Sequence, residues 1–224
     1  MEKYLLRVEL LTDAVFGSGS SETGFIDAGV LHDKYGFVYI NAKTLKGKLG
    51  EMASVFVNML KKMDGCEGLA KVFHKKKEEL FGIPGEYDHN RLKFSDCEIK
   101  KDIRKYYKSF MKDSKINPQE ILESLTYIQT QTSIDYNTGV AKRNSLRNLR
   151  VINRGLVLYS SIYSPQRLDD DAKILLSSAC SFLRHLGSNE TKGKGRVRTK
   201  LLSEGKDISK EYIKLLGKKV GAGV

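Results

Sequence analysis

The feature that most constrains this chain is the order of its patterned segments: two stretches with apolar residues at helical spacing, each set among short β-favouring runs. The first follows the strand-like Phe37-Val38-Tyr39-Ile40. Asn41 or Thr44 can cap it, its stripe is Leu45, Leu49, Met52, Val55, Phe56 and Leu60, and it runs to about Lys62. The second opens on Asp169-Asp170-Asp171, whose negative charge suits a helix start, carries Leu175, Leu176, Ala179, Cys180, Leu183 and Leu186, and stops at Gly187. Tyr4 to Leu11, Arg91 to Ile99, Thr126 to Ile134, Leu156 to Tyr163 and Lys194 to Leu202 read as strands. Cys66 to Tyr87 is a weaker helix with the basic run His74-Lys75-Lys76-Lys77, ending at Phe81-Gly82-Ile83-Pro84-Gly85. Asp102 to Glu123 is charged, lacks a sustained apolar period and belongs to an insertion whose fold the pattern leaves open.

Strand, helix, strands, then strand, helix, strand is the βαββαβ order of an α+β, ferredoxin-like (RRM-like) domain. The expected layout is a single domain over 1–202, with insertions at about 63–90 and 100–124 and a protruding hairpin at about 134–154. A basic helix and tail follow at 203–224. A fold of this kind hosts many activities, so function has to be read from particular residues.

Charge gives the first indication. The chain of 224 residues has 39 Lys and Arg against 27 Asp and Glu, a net charge of +12, which suits a polyanionic partner. Between Lys142 and Lys200 alone, 13 cationic residues stand against 4 acids, a concentration that favours RNA over a merely solvated surface. Cys66, Cys97 and Cys180 are far apart and odd in number, so neither a disulfide framework nor a zinc site is indicated, and the cytoplasm is the simplest location. No apolar run is long enough to span a bilayer, and no membrane partner is expected.

Gly187 to Lys200, reading Gly-Ser-Asn-Glu-Thr-Lys-Gly-Lys-Gly-Arg-Val-Arg-Thr-Lys, is the most informative segment. Gly187, Gly193 and Gly195 can bring backbone close to phosphate oxygens. Lys192, Lys194, Arg196, Arg198 and Lys200 supply cations, the last four at period two along one strand face. The plain alternative is a tight turn followed by a solvated edge strand. A second basic stretch holds Lys142, Arg143, Arg147, Arg150 and Arg154 among Val140, Leu146, Leu149 and Val151; its alternative is a solvated amphipathic hairpin. Gly17-Ser18-Gly19 lacks the third glycine of a dinucleotide fingerprint. Asp27, a lone acid between apolar residues, reads by itself as a capping or turn aspartate. His32, His74, His89 and His185 show no ligand spacing.

Four segments in order resemble the RAMP signature of CRISPR effector backbone subunits, especially the small subunit that forms the filament in type III complexes. Gly17-Ser18-Gly19 leads to Gly24-Phe25-Ile26-Asp27-Ala28-Gly29-Val30 and then to Ile40-Asn41-Ala42-Lys43-Thr44-Leu45-Lys46-Gly47-Lys48-Leu49, similar to the family's I-P-G-S-S-L-K-G-K-L-R. Leu80-Phe81-Gly82 and Arg91-Leu92-Lys93-Phe94-Ser95-Asp96 follow, then Ile134-Asp135-Tyr136-Asn137-Thr138-Gly139-Val140-Ala141, and finally Gly187 to Val197. Asn41 and Ala42 replace the family's Pro and Gly, Gly50 and Tyr136 stand where arginine is usual, and so does Lys192.

The resemblance implies a palm that clamps guide RNA and a thumb that interrupts the guide–target duplex at regular steps. The implied RNA contacts are Lys43, Lys46, Lys48, Lys142, Arg143, Arg147, Arg150, Gly187, Lys192, Gly193, Lys194, Gly195 and Arg196. In catalytic members the aspartate matching Asp27 is required for metal-dependent cutting of target RNA, which implies Asp27 as catalytic and metal-binding residue with a divalent cation, Mg or Mn. Guide RNA, target RNA, further copies of the chain and other effector subunits are the implied partners. Two alternatives stay open within the family: a scaffold without cleavage, and a ribonuclease that matures guide precursors without metal. A generic RNA-binding module is the third.

Overall fold

The computed structural model describes residues 2–19, 26–83, 85, 91–113 and 115–221. Alternation is strict in β1 (Glu2–Leu10), where Tyr4, Leu6, Val8 and Leu10 are buried. The first helical stripe folds as α1 (Ala42–Lys61), with Leu45, Leu49, Ala53, Phe56, Val57 and Leu60 inward and Val55 left exposed. The helix begins where expected because Asn41 Oδ1 accepts the Lys43 N–H at 2.9 Å, and Asp96 Oδ1 accepts the Ala42 N–H at 2.7 Å. Short β2 (Tyr39–Ile40) precedes it.

Arg91 to Ile99 is two strands, β3 (Lys93–Phe94) and β4 (Cys97–Ile99), not one. The break at Ser95-Asp96 frees Asp96 to cap α1 and lets Ser95 Oγ accept the Ser161 N–H at 2.8 Å. Ser161 belongs to β7 (Val157–Ser164), and the second stripe is α5 (Asp170–Phe182), capped by Asp169, followed by β8 (Val197–Ser203). β1 pairs antiparallel with both β7 and β8, and β4 with β7. With short β9 (Lys206–Asp207), the order β2-β4-β7-β1-β8-β9, with β3 also on β7, is the ferredoxin-like arrangement with α1 and α5 packed together.

Two segments outside that frame join its core. α2 (Glu67–Phe81) buries Ala70, Phe73 and Leu80 against α1 and α5, with the Phe56 and Phe73 rings edge to face at 5.4 Å. It ends at Phe81, where Gly82 caps it at φ 93°, short of the expected stretch to Tyr87, of which Pro84, Glu86 and Tyr87 lie outside the described residues. α6 (Ser209–Gly221) packs on α5 through half-buried Tyr212, Leu215, Leu216 and Val220, so the basic C-terminal helix is a layer of the fold.

The charged insertion folds as α3 (Lys101–Lys112) and α4 (Pro118–Leu125). Arg104 pins α3 by ion pairs to Asp33 and Glu98 and lies 5.4 Å over the Phe37 ring. α4 starts on a capping box between Asn117 and Glu120. It leads into a separate two-stranded sheet, β5 (Thr126–Gln131) against β6 (Arg147–Ile152), so the protruding hairpin starts eight residues before Ile134. No helix among the described residues is long and apolar enough to cross a membrane.

Candidate nucleic-acid interface

The hairpin is tied by hydrogen bonds at both ends. At its tip, Asp135 Oδ1 accepts the N–H groups of Asn137 and Thr138 at 3.0 and 3.1 Å, and Gly139 takes φ +69°, the turn that Asp135 to Gly139 foreshadows. Ser145 Oγ donates to Lys142 O at 2.7 Å and accepts the Ser133 N–H at 3.1 Å, tying the two arms. Ile134, Tyr136, Val140 and Leu146 stay exposed; Tyr136 is 99% accessible. At its base, Ala14 bridges Ile152, and Ala28 runs parallel to Leu149.

The glycine-rich turn faces this hairpin. Asn189 and Gly193 both adopt left-handed backbone, at φ 63° and 76°, around a single 3-10 turn at Glu190–Lys192. Gly187 and Gly195 have an internal reason to be glycine. A Cβ would lie 2.5 Å from Val15 O at Gly187 and 2.1 Å from Leu186 O at Gly195, and both have positive φ. Gly193 faces open space. Of the expected basic strip, Lys194 is instead buried, because Gly193 and Gly195 turn the chain before β8 begins. Arg198 and Lys200 leave for the open sheet face. There Lys200 pairs with Asp207 at 3.1 Å and Arg198 stands opposite Glu9, whose carboxyl is held below its ordinary value by Arg7 first, then by Arg198 and Lys200.

Between hairpin and turn lies a polar cleft of about 410 Å³. Lys142, Arg143 and Arg147 line it from the hairpin side and Lys192 from the turn. Lys192 Nζ donates to Gln131 Oε1 at 3.3 Å, joining the turn to the end of β5. Asn189, Asn144, Ser145 and Gln131 also line it. Sequence reasoning passed over these four; Asn189 carried a signal, an asparagine within a glycine-rich turn, the residue other than glycine that best tolerates left-handed backbone.

The remaining expected contacts sit elsewhere. Arg150 corrects the expectation: at the hairpin base its side chain turns inward, 5% exposed, and Nη1 donates to Thr126 Oγ1 at 3.1 Å. Lys46 Nζ donates to Leu92 O at 2.9 Å, and burial, then Arg91, lowers its pKa. Lys48 pairs with Glu51 at 3.2 Å, Lys43 is exposed on the first turn of α1, and Arg196 is exposed with its N–H on Thr12 Oγ1.

Asp27 stands at the hairpin base, exposed, latched to β6 in both directions. Its N–H donates to Asn148 O at 2.9 Å, and its Oδ2 accepts the Asn148 N–H at 2.6 Å. No group of three His, Cys, Asp or Glu side chains that could hold a metal ion occurs among the described residues. One carboxylate completed by phosphate oxygens and water is nonetheless a pattern in which magnesium binds, so a lone Asp27 carboxylate would fit a divalent cation only with oxygens supplied by a ligand. The three cysteines are free and buried, and burial pushes the Cys97 and Cys180 thiols up, that of Cys180 to about 12, which argues against these two as nucleophiles at neutral pH.

A family model described as the RAMP superfamily matches residues 7–198, nearly the whole of the arrangement above. The chain belongs to the RAMP superfamily. A comparison with curated proteins finds no match. Among solved structures, this RAMP chain aligns with one chain of the type III-B Cmr-β complex bound to cognate target RNA. The alignment has a TM-score of 0.63 and 14% identity, and covers 95% of this chain and 99% of that one. The apo state of the type III-B Cmr-β complex gives a TM-score of 0.62 at 15% identity, over 92% and 99% of the two chains. At these identities the likeness is one of fold.

Proposed function

We propose that this RAMP protein is an RNA-binding backbone subunit of a type III CRISPR effector complex, with the cleft between hairpin and glycine-rich turn following the guide-RNA backbone. The observation that carries the reading is the convergence of Lys142, Arg143 and Arg147 on Lys192 across about 410 Å³. Four cations on two independent elements make a track for consecutive phosphates, whereas a solvated hairpin would spread them. The hairpin serves as the thumb: Val140 and Leu146 are free to wedge into a base stack while the cations behind them hold phosphates. The structural neighbours, one of them bound to cognate target RNA, support RNA and other effector subunits as partners; guide RNA and further copies of the chain complete the proposal.

In the catalytic form of this reading, Asp27 cuts target RNA beside the thumb. Its Oδ1 is the carboxylate oxygen left to hold a divalent cation, Mg or Mn, while the Asn148 latch fixes its position relative to the thumb. Such an ion supplies positive charge against the scissile phosphate. The latch also favours a second reading, the same scaffold without cleavage, because a carboxylate bonded to backbone has a structural reason to be there.

One set of variants tests both. Arg143→Glu with Lys192→Glu should weaken guide-RNA binding and lower the slope of log K against log salt by about 1 to 2, since each lost single-strand phosphate contact removes about 0.7. Asp27→Asn should keep assembly and guide binding and abolish target cutting. Unchanged binding in the double variant would sink the cleft; unchanged cutting by the assembled Asp27 variant would remove Asp27 as the active residue, and no cutting by the assembled parent would leave the scaffold reading.

A further inference from the structure

Three arginines that the cleft does not use line one cavity. It measures about 320 Å³ and lies between the C-terminal end of α5 and the first residues of β8, where Arg184, Arg196 and Arg198 meet the buried Cys180, Leu183 and Val197. β9 pairs with β8 only at Leu202 and Ser203, so no strand covers this part of the β8 edge. The arginine-bearing segments are fixed through their backbones. The Val197 N–H donates to Arg184 O at 2.8 Å, and His185 forms a bridge with Arg196. On its other side Arg196 accepts the Leu11 N–H at 2.8 Å and gives its own N–H to Thr12 Oγ1 at 2.9 Å.

Charge decides what the cavity takes. No Asp or Glu lines it, and none of its three guanidinium groups forms an ion pair among the described residues. Glu9, the carboxylate across from Arg198, is held by Arg7 at 2.9 Å. Arg7, Arg104 and Arg150, by contrast, each have a partner inside the fold. One arginine beyond a helix C-terminus has a structural reason, because it faces the negative end of the helix. Three, drawn from a helix end, a turn and a strand, repel one another unless an anion lies between them. The carbonyls at that helix end are also occupied: Ala179 O and Cys180 O accept the Leu183 N–H, and Cys180 O accepts the Thr199 hydroxyl. A phosphate suits the cavity better than a carboxylate, because guanidinium forks can reach several of its oxygens at once. Arg196 follows Lys192 by four residues, so the cavity takes up the same glycine-rich segment where the cleft leaves it.

We infer that the cavity of Arg184, Arg196 and Arg198 is a phosphate-binding site for RNA, sharing no lining residue with the cleft between hairpin and turn. The inference rests on the reading of the chain as an RNA-binding subunit. Two sources offer the same group: an internal phosphodiester of a bound strand, or the phosphate at its 5′ end. The test uses the full-length protein and one single-stranded RNA, prepared with either a 5′-hydroxyl or a 5′-phosphate, with binding measured across a salt series. Arg184→Gln with Arg198→Gln, on exposed side chains, should bind roughly tenfold more weakly at about 0.1 M salt and lower the slope of log K against log salt by about 1. Equal losses on both RNAs assign the cavity to an internal phosphodiester; a loss confined to the 5′-phosphorylated RNA assigns it to the strand end. Lys210→Gln with Lys214→Gln removes the same charge from exposed positions of α6 and should leave binding unchanged. Parent-like binding by the arginine variant, with Arg143→Glu and Lys192→Glu still weakening it, would overturn the cavity while leaving the cleft intact, and so would an equal loss in the α6 control. Unchanged binding in both the arginine and the cleft variants would overturn the RNA-binding reading itself. An arginine variant that keeps RNA binding but no longer joins the other effector subunits would make the cavity a seat for an acidic protein segment and overturn the inference as well.

Discussion

Gly193 and Gly195 sit two residues apart in one turn and have different reasons to be glycine. Both take left-handed backbone, at φ 76° and 73°, but a Cβ at Gly195 would lie 2.1 Å from Leu186 O while one at Gly193 meets nothing within 4 Å. Alanine at position 193 should therefore cost about 1 kcal/mol, the conformational penalty alone. Alanine at position 195 adds a backbone collision where the Leu186 N–H donates to Gly195 O at 2.8 Å, and should cost on the order of 3 kcal/mol. Thermal unfolding measures the contrast: roughly 2–4 °C per kcal/mol for a chain of this size should separate the two variants clearly. Equal midpoints would mean that the turn accommodates a side chain. Lys194 belongs to the same argument, since the two turned glycines take it off the basic face.

The thumb is built as a self-supporting element. Its six-rung ladder from Thr126↔Ile152 to Gln131↔Arg147, the Asp135 turn and the Ser145 clasp are local, and it meets the palm at the Ala14, Asp27 and Ala28 contacts near its base. Replacing residues 133–145 by a two-residue Asn-Gly turn should leave the palm folded, with its unfolding midpoint little changed. Guide binding should weaken, because Lys142 and Arg143 go with the tip, yet persist through Lys192 and Arg147. If the thumb wedges the duplex, cutting should also lose its regular spacing. Circular dichroism checks the fold, filter binding the affinity, and sequencing of cleaved target the spacing; loss of all guide binding would contradict the division between thumb and palm.

Across the whole molecule, several surface carboxylates are tied to lysines that join elements. Burial raises the Asp169 carboxyl, but Lys76 and the Ala172 N–H override it, leaving it below its ordinary value. Asp207 follows the same balance, with Lys200 and Ser209 as its partners, and the Asp207 turn holds β9 against β8. For carboxyls depressed in the folded state, stabilisation is complete above the unfolded pKa and is lost as pH falls through the folded one. Stability should therefore hold from neutral pH down to the ordinary aspartate value of 3.8 and decline below it. Urea midpoints from pH 6 to pH 2.5 measure this, and Lys76→Met should flatten the acid limb. A midpoint already falling between pH 6 and pH 5 would point to other groups.

How much was legible in the chain itself follows from the range of the forces involved. Periodicity and capping act within a few residues, so the two helices, the strands of the βαββαβ frame and the turn at Asp135 to Gly139 were readable from order alone. The insertion was not, because α3 hides its fixing residue, Arg104, in a charged face, and its partners Asp33 and Glu98 are 71 and 6 residues away. Charge composition pointed to a polyanion, and the glycine-rich segment to its place, but composition cannot say which cations share a cleft. Tertiary structure decided that Lys192 meets Lys142, Arg143 and Arg147, while Arg150 turns to Thr126, Lys46 to Leu92 and Lys200 to Asp207. The physical reason is that a side chain's charge is free for a ligand only if no neighbour brought in from elsewhere in the chain has already claimed it.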